Sequence, residues 1–474
     1  MLAAGAVGLA LCLVLVGSRA PLGAIGLTAC AFFATGVALS LALASPGFPR
    51  VVIGLLPLAC ALLLPTRFVE RLTPAPLHEY LDFIALLSLL AIAGLAAERA
   101  WRRCTGYRPV GIELPLAAMC ALALANTLAS TPALPSFAPV ARGYACLFLP
   151  PLLLLALAHA GWNRGQVRQA VWLALAAVLG LCLMGLVVAF ALWKLLGPAA
   201  IQLLPALQEV LARTRAPLGG SGPSGLVLLI AAPLALVQLL HARSRLALAA
   251  WTLMLALFAL GMLLSVSRTV IAASPLVLGL TAWLCWPSLR RRLRYLGLVA
   301  VAALLALAVG VAFYQGSFER LSRLGITEST SDQRRVGSLR VALDVAQLQP
   351  VLGAGIGRYY PRRTEEGDLL VLYQPTAYDA HNLYVQALAE QGVVGTTLYL
   401  AVLVVPFWQL LRLRRQARDP WVRDAMGAFA AGVFALLLYS VTSSSVSVMF
   451  RLAVCYWSWL GLGFALSRAH EEAS

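Results

Sequence analysis

The sequence predicts an all-α protein that crosses a membrane many times, with about 12 spans and one large polar loop. Three observations carry this reading. Hydrophobic residues make up 61% of the 474 and charged residues only 12%, a composition too apolar for a soluble chain of this size. The apolar residues fall in runs of near-spanning length separated by short loops. Arginine collects in alternate loops, the bias that orients membrane helices.

Taken in order, the apolar runs occupy 2–17, 21–44, 51–65, 80–97, 110–128, 142–159, 170–196, 224–241, 246–264, 269–286, 295–314, 392–411, 424–442 and 449–466. A spanning helix needs about 20 apolar residues. Runs 2–17 and 51–65 are short and read as tilted, broken or half-inserted, which sets the range at about 12 to 14 spans. The first run lacks a basic leader, so it reads as a retained helix rather than a cleaved signal.

The loops 98–108, 163–168, 241–245, 288–294 and 412–423 are basic. By alternation they share one side, read as the cytoplasm. Both termini fall there when the span count is even. The opposite, periplasmic side receives 66–79, 129–141, 197–223, a tight turn at 265–268 and the long segment 315–391. The chain therefore divides into membrane helices at 1–314, a periplasmic loop at 315–391, and further membrane helices with a short tail at 392–474. The formal charge of +17 lies mostly in the orienting loops, which argues for membrane lipid and against nucleic acid as its partner. Nine cysteines are present, none between Cys285 and Cys455 and none in a CxxC pair. That spacing predicts no disulfide in the long loop and no zinc or redox site.

The long loop has structure of its own. Val336, Leu339, Leu343 and Ala346 recur at helical spacing, with Ser331 or Asp332 as a start and Pro350 as a stop, so an amphipathic helix is expected over about 332–349. Its Val336/Leu339/Leu343 face should rest on the membrane domain or the bilayer. A glycine turn, Gly353-Ala-Gly-Ile-Gly357, follows, then an irregular stretch to Thr376. A helical run from Leu383 to Glu390 ends at Gly392, a favourable C-cap. His381 is placed in the first turn of that helix, where unpaired N–H groups favour anions.

Candidate site residues follow from position. Arg142, Arg213, Arg215 and Arg268 lie at outward helix ends, against the bias that gathers arginine on the other side. Arg213 reads as an interfacial side chain snorkelling to lipid phosphates. Arg268 sits in the polar break Leu264-Ser-Val-Ser-Arg-Thr269, and Arg215 precedes the flexible stretch Gly219-Gly-Ser-Gly-Pro-Ser-Gly225. Guanidiniums meeting at one membrane face suit a diphosphate, whose oxygens they fork. His381 is a helix cap, an interfacial histidine bonded to Asp379, or a catalytic or acceptor-binding residue. His78, His159, His241 and His470 read as solvated loop residues. Tyr359, Tyr360, Tyr373 and Tyr378 could stack on sugars or form an aromatic belt. There is no Asp-x-Asp pair for a metal and no Walker motif, so no metal, nucleotide or other cofactor is expected.

The stretch Tyr378-Asp-Ala-His-Asn-Leu-Tyr-Val-Gln-Ala-Leu-Ala-Glu-Gln-Gly-Val-Val-Gly395 resembles the His-Asn…Glu-x-Gly-x-x-Gly signature of the O-antigen ligase and polymerase superfamily. Pro350-Val-Leu-Gly-Ala-Gly-Ile-Gly357 resembles its Pro-Leu-x-Gly-x-Gly turn, and Arg334 or Arg335 stands where that family carries an arginine. Gly222-Pro-Ser224 replaces the family's usual Asn-Pro-Asn. The resemblance implies a GT-C-like inner-membrane glycosyltransferase with its site on the periplasmic face. It implies an O-antigen ligase that moves a glycan from undecaprenyl diphosphate to a sugar hydroxyl of lipid A-core. Arg215 and Arg268, helped by Arg142, would hold the diphosphate. His381 would take the acceptor's proton, for an inverting displacement without metal. Asp379, Asn382, Tyr360, Arg334 and Arg335 would support the acceptor side. The motifs do not separate a ligase from a polymerase or a protein O-glycosyltransferase. A lipid-linked glycan transporter, from another class, would need charges deep within spans or paired broken helices, and the charges here lie mainly at helix ends.

Overall fold

The computed structural model describes residues 48–63, 83–101, 108–129, 138–203, 221–265, 267–290, 330–356, 361–363, 369–371 and 380–471. Helices dominate these residues. They are α1 (Phe48–Leu63), α2 (Phe83–Trp101), α3 (Glu113–Ala129), α4 (Ala138–Ala158), α5 (Arg164–Leu203), α6 (Ser221–Leu240), α7 (Arg245–Leu264), α8 (Arg268–Leu284) and the short α9 (Trp286–Arg290). After these come α10 (Thr330–Leu348), an antiparallel ribbon of β1 (Pro361–Arg363) and β2 (Leu369–Val371), α11 (Leu383–Gln416), α12 (Pro420–Ser440), the four-residue α13 (Ser445–Val448) and α14 (Phe450–Glu471).

Among the described residues five helical segments are long and apolar enough to cross a membrane: Arg164–Leu186, Gly222–Leu240, Arg245–Leu263, Leu383–Gln416 and Pro420–Ser440. Shorter apolar helices accompany them. The protein is thus an α-helical, multi-pass membrane protein. The expected runs 2–17, 21–44 and 295–314 lie outside the described residues.

Local sequence sets the helix boundaries. Asp419 caps α12 by accepting from the N–H groups of Trp421 and Val422, and Pro420 takes the first helical position, where its missing N–H costs nothing. Ser244 caps α7 through the N–H of Ala247. Pro233, Pro275 and Pro406 lie inside helices, as neighbouring helices in a bundle permit. Two helices form the centre. α6 packs among α5, α7, α8 and α12, while α14 packs on α4, α1 and α5. Nearly every described residue of α14 from Phe450 to Ala469 is buried, and Phe429 of α12 meets Trp459 edge-on. α7 lies at the periphery, with Leu246 and Leu253 exposed.

The predicted basic loops do gather at one end of the bundle. Arg468 donates to the carbonyls of Ala158 and Arg108, and Arg108 pairs with Glu471. Arg168 stacks over Trp421, and Arg414 donates to the carbonyl of Leu284. Two histidines expected to be solvated are not. His159 is buried, with its ring nitrogens on the carbonyls of Leu155 and Arg108. His241 Nε2 lies 2.9 Å from Oδ2 of Asp424, which is itself wholly buried. Both sit where loop and helix ends interlock, so the packing encloses what the loop composition leaves open. His470 is half-buried beside Arg164, and His78 lies outside the described residues.

Candidate functional site

The other end of the bundle gathers the turn between α7 and α8, the start of α6, the turn after α12, and the residues ahead of α11. The start of α6 carries Gly222, where a side chain would not fit. A Cβ there would stand 2.6 Å from the Tyr439 hydroxyl and 3.7 Å from Ser267 Oγ. A Cβ at Gly225 would stand 2.7 Å from Ser265 Oγ and 3.1 Å from Val270. These absent side chains let the first turns of α6 and α8 lie side by side against the end of α12. Two helix N-termini then point their unpaired N–H groups and positive dipole ends the same way. Arg268 is the first residue of α8 and is exposed. A cation at that position works against the helix dipole, so dipole and guanidinium together make a strongly positive surface suited to an anion.

His381 reaches the same end by a different route. Asn382 caps α11: its Oδ1 accepts from the N–H groups of Tyr384 at 3.0 Å and Val385 at 3.1 Å. Its Nδ2 donates to the carbonyl of Val441 at 2.9 Å. Tyr384 adds a second tie, its hydroxyl donating to the carbonyl of Leu437 at 2.7 Å. The neighbour of Val441, Thr442, shares a hydrogen bond with Thr269, the residue after Arg268. The short turn 441–442 therefore joins the strand of chain bearing His381 to the helix start bearing Arg268.

The histidine does not occupy the first helical turn. The cap at Asn382 starts the helix at Leu383, so His381 lies one residue outside it. Its φ of 52° places it in the left-handed region, where it is the sole non-glycine residue among those described. Such a conformation costs a bulky residue energy. It persists because both Asn382 and the buried Ala380 fix the chain on either side, Ala380 donating to Gln386 Oε1.

Below this point α11 is broken. Gly392 has φ 63° and ψ −171°, which splits α11 into a short leg, 383–391, and a membrane leg from Val393 onward. The break is held by the glycine turn. Gly353 has φ 71°, and a Cβ on it would stand 2.4 Å from the backbone of residues 390–391. A Cβ on Gly392 would stand 2.2 Å from the Val351 carbonyl oxygen. Backbone bonds close the contact: Ala354 N to Ala389 O at 2.9 Å, Gly355 N to Glu390 O at 2.8 Å and Val393 N to Pro350 O at 2.8 Å. The glycine cluster thus serves close backbone packing rather than a nucleotide.

The helix α10 lies over the short leg, through a face other than the Val336/Leu339/Leu343 one, which leaves that face for the bilayer alternative. Ala342, Val345 and Ala389 are buried together with Ala380, whereas Val336 and Leu343 are exposed. Small side chains at 342 and 346 allow the close approach, while Val336 and Leu343 stay outside it.

Among the other expected site residues, Arg335 lies exposed on α10, and Arg334 belongs to the same helix. Arg142 belongs to the first turns of α4, whose far end, Ala158, is at the basic end. Arg213, Arg215, Tyr360 and Asp379, with Tyr359, Tyr373 and Tyr378, lie outside the described residues. Sequence reasoning passed over Tyr439, Thr442 and the buried Arg451 at the start of α14. The run Thr442-Ser-Ser-Ser-Val-Ser447 is a polar break between apolar runs, the same signal that singled out residues 265–268. Among the described residues no three His, Cys, Asp or Glu side chains are grouped to hold a metal ion.

Comparison with known proteins falls on this region. The family model described as O-antigen ligase matches residues 252–400, a span that includes Arg268, the glycine turn, His381 and Gly392. The "Exopolysaccharide production protein ExoQ" of Rhizobium meliloti is 26% identical over 177 residues, 36% of this chain and 40% of that protein. The matched part thus spans about two fifths of the length of that relative.

Proposed function

We infer that this chain, which carries an O-antigen ligase family domain over residues 252–400, is a membrane glycosyltransferase of bacterial surface-polysaccharide synthesis. The finer reading is ligation: a glycan leaves undecaprenyl diphosphate and joins a sugar hydroxyl of lipid A-core. One observation carries it. The turn 441–442 holds the His381–Asn382 segment and the Arg268 helix start together, through the Asn382–Val441 and Thr269–Thr442 contacts. A base and an anion site are the two parts that such a transfer requires.

In this reading Arg268 and the first turns of α6 and α8 bind the diphosphate, with Arg215 and Arg142 as further cations. Charge grows on the leaving diphosphate as the glycosidic bond breaks, and donors fixed in advance stabilise it without reorganising. His381 takes the proton of the acceptor hydroxyl, which then attacks the anomeric carbon from the face opposite the leaving group. The configuration at that carbon inverts. Asn382, bonded to both α11 and the carbonyl of Val441, holds the His381 backbone at the end of α12.

A second reading has its own support. The relative is named for production of an exopolysaccharide, which favours a polymerase whose acceptor is a second lipid-linked glycan. Purified chain with lipid-linked glycan and each acceptor in turn separates the two. Product on lipid A-core supports the ligase. Lengthened lipid-linked chains support the polymerase. No transfer to either acceptor or to a protein acceptor, with donor bound, would end the transferase reading.

A further inference from the structure

We propose that α10 and the turn after it lie on the surface of the bilayer the protein spans, through apolar side chains that the described residues leave uncovered. Leu343, Leu348, Val351 and Leu352 are exposed, and so are Val393 and Val394 of the membrane leg of α11. Val336, two turns before Leu343, continues the stripe. Spacing places Val336, Arg340, Leu343 and Gln347 in one row, and all four are exposed. The opposite row, Ala342 and Val345, is the one buried on the short leg of α11.

What fixes the occupant is the height of this face. Val393 N bonds to Pro350 O at 2.8 Å and Val394 N to Val351 O at 3.3 Å, so Val351 sits beside the first turn of a helix apolar enough to span a membrane. Leu352 O accepts from Asn126 Nδ2 at 2.9 Å, near the end of the apolar helix α3. A helix long enough to span and the shorter apolar helix α3 thus end where these side chains are displayed, and the lipid that covers Val393 and Val394 reaches Val351 and Leu352 as well. Exposed Arg335 and Arg340 can reach headgroup phosphates from the same helix, the usual partition of an interfacial helix.

The inference does not rest on the transferase reading, and its test does not use activity. The full chain is reconstituted in phosphatidylcholine nanodiscs with an environment-sensitive fluorescent amino acid at Leu343 or Val351. Arg418, exposed in the turn between α11 and α12, is the reference site. Emission at 343 and 351 should shift to the blue and be quenched by lipid carrying a spin label on its acyl chain, well beyond the quenching at 418. Water-like, unquenched emission at both sites would overturn the proposal. Blue-shifted emission that the labelled lipid leaves unquenched, in discs found to hold two copies, would also overturn it and assign the face to a second chain.

Discussion

The side chain of Asn382 bonds in two directions at once: its oxygen caps the helix that follows His381, and its nitrogen holds the carbonyl of Val441, 59 positions along the chain. Cap and tether can be separated. Asn382→Asp keeps the oxygen that caps the helix and loses the donor, setting a carboxylate against a carbonyl. Asn382→Ala loses both. The Asp variant should keep its fold yet transfer glycan slowly, while the Ala variant should lose about 1 kcal/mol more stability from the missing cap. Thermal unfolding in detergent and single-turnover transfer measure the two effects. Wild-type turnover in Asn382→Asp would show that the tether does not serve the chemistry.

Replacing His381 tests chemistry against backbone. Loss of a general base slows transfer by about 10²–10⁴-fold, and His381→Gln should show that loss with donor binding intact. His381→Gly removes the ring but welcomes the left-handed φ, so it should be at least as stable as the parent and equally inactive. His381→Val should be inactive and also less stable, by about 1–3 kcal/mol, because a branched Cβ resists that conformation. A Gln variant with near-normal rate would reduce His381 to orienting the acceptor.

Arg268 should act on the donor. Arg268→Ala is expected to abolish transfer and weaken binding of undecaprenyl diphosphate, read by its displacement of a fluorescent polyprenyl diphosphate. Arg268→Lys should restore only part, since an ammonium cannot fork across two oxygens. Unchanged donor affinity in Arg268→Ala would move the diphosphate site elsewhere.

The joint in α11 depends on two glycines. Gly392→Ala would drive a methyl into the Val351 carbonyl from a backbone held at φ 63°. Gly353→Ala would meet the backbone of residues 390–391 in the same way. Each should free the glycine turn from α11 and cost more than the roughly 1 kcal/mol that glycine-to-alanine changes usually involve. Faster proteolysis after 350 and a lowered Tm should report it. Gly279, which has open space around it inside α8, serves as the control, and Gly279→Ala should neither speed proteolysis nor lower Tm.

Much of this architecture is legible in the sequence because membrane helices obey few rules. Apolar length marks the helices, and arginine placement assigns the basic loops to one end, where Arg108, Arg168, Arg414 and Arg468 now interlock. The motif glycines also read correctly, since Gly353 and Gly392 announce backbone that other residues resist. What escaped notice depends on contacts between distant segments. His159 and His241 look solvated in their loops, but partners such as Asp424 are far along the chain. The side of α10 that packs on α11 is built from Ala342, Val345 and Ala346, which carry less hydrophobic signal than Val336 and Leu343, so the sequence marked the exposed face and not this one. Thr442 and Tyr439 gain meaning only once Gly222 and Asn382 are brought beside them.

The joint at Gly392 can also be viewed as a matter of leverage. The short leg of α11 has nine residues and so is about 13 Å long. Tilting it by 10° would carry its tip, where the His381 segment begins, through roughly 2 Å. A misplacement of even about 1 Å can cost a catalytic constellation a hundredfold in rate. If His381 is the base proposed above, the angle at one glycine therefore sets whether it arrives in range. Clamping the pivot with the backbone of residues 350–355, rather than bracing the tip alone, multiplies precision along the arm. A bilayer that pushed on α10 would act on that same arm, close to its fulcrum.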